Sequence, residues 1–163
     1  MPQRKLEGRP KYTGMHKYVN AEAGFAIWVP SDWYQYDLEE GRLGVIYSPY
    51  PDDINTCFYI EKQKLAFSVR PKDLDILQKG FLEGIQQLPE VEIIKHEESV
   101  GPAGVILLDA RYTFVEDGVR RKRWTRVSYW GNGQLTMVAQ GATEEEFDYW
   151  EPMFYNTMMT MEL

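Results

Sequence analysis

A chain of 163 residues with 44% hydrophobic and 26% charged side chains has the size and composition of one ordinary domain, which excludes intrinsic disorder and removes the need for covalent staples. A net charge of −7 argues against general nucleic-acid binding, which rests on phosphate neutralisation by a basic face. No stretch approaches the roughly 18 to 20 apolar residues of a membrane span.

The first seventeen residues carry Arg4, Lys5, Arg9, Lys11 and Lys17 against Glu7 alone, and no apolar run follows them, so they read as a flexible basic tail rather than a secretory leader. The expectation is a cytoplasmic protein with residues 18–163 as its single domain. The single cysteine, Cys57, forms no internal disulfide and reads as a small buried hydrophobe in a reducing compartment. After a short strand at Tyr18-Val19-Asn20, the segment Phe25 to Val29 alternates in the period-two pattern of a half-buried strand and stops at Pro30, which has no N–H for a ladder. Trp33 to Asp37 reads as an aromatic, polar loop, with Trp33 plugging the end of the core. Leu43 to Tyr47 is a second clear strand, halted by Pro49 and Pro51, and a third runs from Thr56 to Ile60 and onward to Leu65.

From Pro71 to Leu88 the period changes. Leu74, Leu77, Phe81, Ile85 and Leu88 form the buried stripe of an amphipathic helix with Asp73 as N-cap, and Pro89 ends it. Gly80 and Gly84, four apart on one face, predict close approach to a neighbouring backbone. Three strands follow: Val91 to Val100, Gly104 to Val115 and Val119 to Trp130, the last two joined by the hairpin signal Asp117-Gly118. A two-residue loop there pairs Val115 with Arg120, Arg111 with Trp124 and Asp109 with Arg126, on what reads as a solvated face. Gly131-Asn132-Gly133, taken as a three-residue loop, leads into a strand from Gln134 to Gln140 with Leu135, Met137 and Ala139 on the same core face as Val127 and Tyr129. Thr143 and Glu146 make a capping box for a closing helix that presents Phe147, Trp150, Phe154, Met158 and Met161, with Pro152 inside it. The sum is an α+β fold, an αβα sandwich with an antiparallel sheet of about six to seven strands and two main helices.

The strand GFAIWVPSDW, the helix LDILQKGFLEGIQQLP, the turn region YWGNGQLTMVAQG and the final EEEFDYWEPMFYNTMMTM together resemble the PsbP-like superfamily over residues 18–161. Its marks here are Gly24, Phe25, Pro30 and Trp33, then Phe147, Phe154 and Met158. That superfamily includes the PsbP accessory subunit of photosystem II, a nuclear-import factor that binds the Ran GTPase, and bacterial proteins including the DcrB-like group. The resemblance implies an αβα sandwich acting as an accessory or binding protein, with no shared catalytic residues to carry over.

Catalytic chemistry finds little to work with. Cys57, His16 and His96 form no recognisable nucleophile and base pair, and His96-Glu97-Glu98 alternates faces along a strand, which does not suit metal ligation. Asp52-Asp53 reads as a solvated turn, and no Gly-rich loop opens a helix for phosphates. No catalytic residue, metal or cofactor is therefore assigned. Two surfaces remain as binding candidates. Arg120, Arg121 and Lys122 form part of a basic run, whose simplest role is to keep a hairpin strand soluble. Tyr34, Tyr36 and Tyr50 form an aromatic surface of the kind that anchors interfaces. The leading expectation is a non-catalytic accessory protein that binds a protein partner, with a homodimer among the options. The alternative is a small-molecule-binding protein or small enzyme using a cleft between sheet and helices.

Overall fold

The computed structural model describes residues 6–11 and 13–163. Arg4 and Lys5 of the expected basic tail lie outside the described residues. The first strand, β1 (Met15–Asn20), begins before the expected Tyr18, because His16 and Lys17 pair with Val29 and Trp28 of β2 (Phe25–Pro30). β1 and β2 form a two-stranded sheet of their own. Phe25, Ile27 and Val29 are buried while Trp28 is partly exposed, as the alternation requires.

The remaining strands are β3 (Tyr34–Asp37), β4 (Leu43–Ser48), β5 (Cys57–Val69), β6 (Glu92–Val100), β7 (Ile106–Glu116) and β8 (Val119–Gly141). They form one antiparallel sheet in the order β3-β4-β5-β8-β7-β6. Tyr34 to Asp37, expected as a loop, is thus an edge strand. Its alternation of aromatic and polar side chains is what a strand with one covered face carries, and Gln35 uses the covered side to accept the Tyr47 hydroxyl at 2.9 Å.

β8 folds back on itself. Its first part pairs with β7 and its last part with β5, and Arg123 donates to Gln140 Oε1 at 2.9 Å and 2.5 Å, although seventeen extended residues would separate them by more than about 50 Å. The reversal is at Gly131-Asn132. Gly131 takes φ 55° while Asn132 stays at negative φ, the pattern of a two-residue type II′ turn. The three-residue loop is therefore not formed, and the faces change accordingly. Leu135, Met137 and Ala139 join one core cluster with Trp124, whereas Val127 and Tyr129 belong to another on the opposite side of the sheet. The hairpin at Asp117-Gly118 forms as read, with both residues at positive φ and Glu116 opposite Val119.

Two layers cover the sheet. On one face β2 and the closing helix α2 (Glu144–Met159) bury Val45, Tyr47, Phe58, Ile60, Leu135 and Met137 beneath Phe147, Met153, Phe154 and Met158. Full burial of each such side chain contributes about 1.5 to 3 kcal/mol. Thr143 caps α2 by accepting from the Glu146 N–H at 3.1 Å, and Trp33 closes the end of this core against Trp150 and Phe154 with ring centroids at 5.7 and 5.8 Å. On the other face α1 (Leu74–Gln86) packs Leu74, Leu77, Phe81 and Ile85 over Ile106, Leu108, Ala110 and Val127.

Three local expectations change. Asp73 occupies the N-cap position of α1, but its carboxylate accepts from the Arg70 N–H at 2.8 Å rather than from the helix amides. The face pairing Arg111 with Trp124 and Asp109 with Arg126 has the expected register but is not solvated, because the second half of α2 lies over it. Trp124 is buried and stacks on Tyr155, and Arg111 reaches Glu151 at 2.6 Å. Gly80 and Gly84 meet no backbone, since a methyl group at either would lie in open space. Alanine at both positions is therefore expected to raise stability by about 1 to 2 kcal/mol in total, read as a higher urea midpoint at unchanged slope.

Candidate functional site

The two helices do not cover the sheet equally. α1 occupies the face of β7, of the first part of β8 and of the far end of β5. The same face of β3, β4, the start of β5 and the last part of β8 carries no helix. Cross-strand pairing places Tyr36 beside Ile46, Ile46 beside Tyr59, and Tyr59 beside Val138 on this side, with Tyr34 at the edge. Ile46, Tyr36, Tyr59 and Val138 are half-buried, belong to none of the three core clusters, and Tyr34 is 47% exposed.

An ion pair borders this aromatic and aliphatic row. Arg42 Nε and Nη2 donate to the two oxygens of Glu61 at 2.8 and 2.7 Å, and the Tyr59 hydroxyl donates to the same carboxylate. Glu61 is almost fully buried while Arg42 is exposed. The Arg42 hydrogen bonds hold the Glu61 carboxyl below its usual pKa, and burial pushes the Tyr59 hydroxyl up to about 12. Glu61 therefore stays ionised and Tyr59 stays protonated, so the border is fixed in charge. Sequence reading missed this group, because Arg42, Tyr59 and Glu61 are brought together only by the Gly44–Glu61 register of β4 and β5. The alternation of Tyr59 and Glu61 along a strand was the available signal.

Of the residues singled out from the sequence, Tyr34 and Tyr36 share the open face. Tyr36 donates from its hydroxyl to the Tyr50 carbonyl at 3.0 Å, and the Tyr50 hydroxyl accepts from Trp150 Nε1 at 3.2 Å. Tyr50 thus ties the end of β4 to α2. The basic run lies elsewhere, on the β7–β8 hairpin, and each member has a local anion or acceptor. Arg120 donates to the Glu90 carbonyl and to Thr113 Oγ1 at 3.1 and 2.9 Å, buried Arg121 lies 3.1 Å from Glu116, and Lys122 meets Asp148 at 2.7 Å. Arg121 and Arg123 point to the α1 side as the register requires, and Arg123 lies over the Phe114 ring at 4.4 Å.

The potential nucleophile, Cys57, lies half-buried at the start of β5. Burial pushes the Cys57 thiol up to about 12, which leaves almost no thiolate at neutral pH. His96 is exposed on β6 beside Glu98, 3.2 Å away. Among the described residues no group of three or more His, Cys, Asp and Glu side chains gathers as metal ligands, and no helix is long and apolar enough to cross a membrane.

No protein-family model matches the sequence, and the comparison with curated proteins finds no match either. Solved structures do match. The chain is similar to the cyanobacterial PsbP of Synechocystis sp. PCC 6803, with a TM-score of 0.63 at 15% identity over 96% of this chain and 98% of that one. It is also similar to LpqN of Mycobacterium tuberculosis, a protein involved in cell envelope biogenesis, with a TM-score of 0.62 at 15% identity over 85% of this chain and 82% of that one. PA94 of Pseudomonas aeruginosa, a protein of unknown function, gives 0.55 at 16% identity over 90% and 94%. At such identities the likeness concerns architecture alone, and that architecture is the one the four segments across residues 18–161 together implied: the chain has the PsbP-like α+β fold.

Proposed function

We propose that the protein is a non-catalytic binding module that takes a protein partner on the helix-free half of its sheet. The observation that carries this reading is the row Tyr34, Tyr36, Ile46, Tyr59 and Val138, which the fold supports from beneath and leaves outside every core cluster. Tyrosines on rigid strands supply large contact area at low entropic cost, the usual property of interface anchors. Asp32, Asp37, Glu39 and Glu40 are exposed around the β3 edge, so the partner presents an apolar segment flanked by cations, and binding weakens with salt.

The test is capture from lysate of the source cell followed by titration with the identified partner. Tyr34→Ser combined with Ile46→Thr is expected to weaken binding at least about tenfold while the melting temperature falls by only a few degrees. Undiminished affinity in the folded double variant would refute the assignment. Tyr50→Ser is a poorer probe, because it removes the Trp150 contact and acts through stability.

A second reading has one specific observation in its favour. A groove of about 660 Å³ lies between the end of β5 and the start of α1, lined by Phe67, Ser68, Arg70, Lys72, Ile76 and Leu77. Phe67 and Ile76 are 57% and 71% exposed there. An apolar small molecule that copurifies and is displaced by Ile76→Asp, seen by native mass spectrometry, would favour this groove as the site.

A further inference from the structure

β6 forms one edge of the main sheet, and every residue in it except Ile93 is exposed. Such an edge presents unpaired N–H and C=O groups and invites another strand unless it is guarded. β6 contains no proline, its charged residues Glu92, Lys95, Glu97 and Glu98 are of both signs, and the register irregularity between Ile93 and Lys95 leaves Lys95 to Val100 regular, so the edge repels a strand of matching charge and admits one of complementary charge. The N–H of Gly101 donates to the Val105 carbonyl at 2.7 Å, continuing the ladder with β7. By the alternation of an antiparallel ladder, Lys95, Glu97 and Ser99 then direct their backbone groups toward β7, while His96, Glu98 and Val100 direct theirs outward.

The charges on β6 are matched poorly within the chain. Lys95 lies opposite Arg111, and Glu97 lies opposite Asp109. Those two neighbours already have partners, Arg111 with Glu151 and Asp109 with Arg126. Neither Lys95 nor Glu97 has an ion pair among the described residues. Like charges directly opposite in a ladder are unfavourable.

We propose that a second copy of this chain adds antiparallel to β6 about a two-fold axis at His96. The outward N–H and C=O of His96 then pair with those of the partner's His96. On either side, Lys95 comes opposite the partner's Glu97 and Glu97 opposite the partner's Lys95, so both unmatched charges are matched twice. The neighbouring two-fold registers set Glu97 or Lys95 against its own copy, and the charge pattern selects against both. The contact is isologous and closes at two chains. It joins the two main sheets edge to edge and leaves the β3 edge and the open face free.

Sedimentation velocity of the full chain from micromolar to millimolar concentration tests this. A concentration-dependent dimer is expected. Lys95→Glu and Glu97→Lys each place like charges opposite twice and are expected to weaken it about tenfold or more, while the double variant restores it. Neither single variant lowers the melting temperature, because each turns a like-charge contact with Arg111 or Asp109 into an opposite-charge one. His96→Pro removes an N–H that β7 does not use and is expected to abolish the dimer while the chain stays folded. A monomer at all concentrations, or a dimer indifferent to both single charge reversals, overturns the proposal.

Discussion

Phe154→Ala is expected to lower the unfolding free energy by about 3 to 5 kcal/mol. Phe154 is fully buried and touches two other aromatic rings, Trp33 at 5.8 Å and Phe147 at 5.5 Å between centroids. It therefore joins α2, the segment after β2 and the sheet at one point. Flattening cannot fill the gap cheaply, because Trp33 is braced by Trp150 and Phe147 lies at the start of the same helix. The measurement is urea unfolding followed by tryptophan fluorescence. A loss under about 1.5 kcal/mol at unchanged slope would mean that this cluster does not hold α2 in place.

The second large effect comes from adding an atom. A β-carbon at Gly44 would sit 2.1 Å from the Ile60 carbonyl oxygen, 2.8 Å from Glu61 Cα and 2.8 Å from a Leu38 methyl. Two of these contacts are backbone of the neighbouring strand, so no rotamer change relieves them. Gly44→Ala is expected to cost about 3 kcal/mol and to loosen β4 from β5. Because Gly44 stands opposite Glu61, the same substitution displaces the Arg42–Glu61 pair and the Ile46 and Tyr59 side chains beyond it. Hydrogen exchange would show the β4 amides losing protection before those of β7. Equal loss in both strands would indicate global destabilisation instead.

The fold was legible in the sequence wherever one local rule decided it. Asp117-Gly118 fixed both a turn and the register Asp109–Arg126 and Arg111–Trp124, since a two-residue loop leaves a single choice. Thr143 fixed the start of α2 in the same way, its hydroxyl accepting from the Glu146 N–H, although the Glu146 carboxylate does not return the bond that a full capping box requires. Legibility failed where two rules competed. Gly131-Asn132-Gly133 permits a two- or a three-residue loop, and the assumption that Leu135 shares a face with Tyr129 selected the wrong one, because Tyr129 is buried beneath α1 on one face and Leu135 beneath α2 on the other. The same fact hid the burial of Trp124: an arginine and a tryptophan paired across strands look solvated until a helix lies over them. At the candidate site, Tyr34 and Tyr36 were visible as surplus aromatics. Ile46, Tyr59 and the Arg42–Glu61 pair were not, since only the β4–β5 register assembles them.

β2 is completed by the far end of the chain, and this bears on how the chain acquires its structure. β2 pairs with β1 along one edge, and along the other Ala26 exchanges backbone hydrogen bonds with Glu162 at 2.9 and 2.8 Å, while the Trp28 N–H donates to Thr160 Oγ1 at 3.1 Å. A strand made early in synthesis is thus completed by residues made more than a hundred positions later. Such long-range closure is slow, because the loop entropy is paid before the contact rewards it. The β1–β2 hairpin is therefore expected to be completed only once α2 has docked. Slow steps in refolding should report on this closing bridge, and the nascent chain is most exposed to misassociation while it remains open.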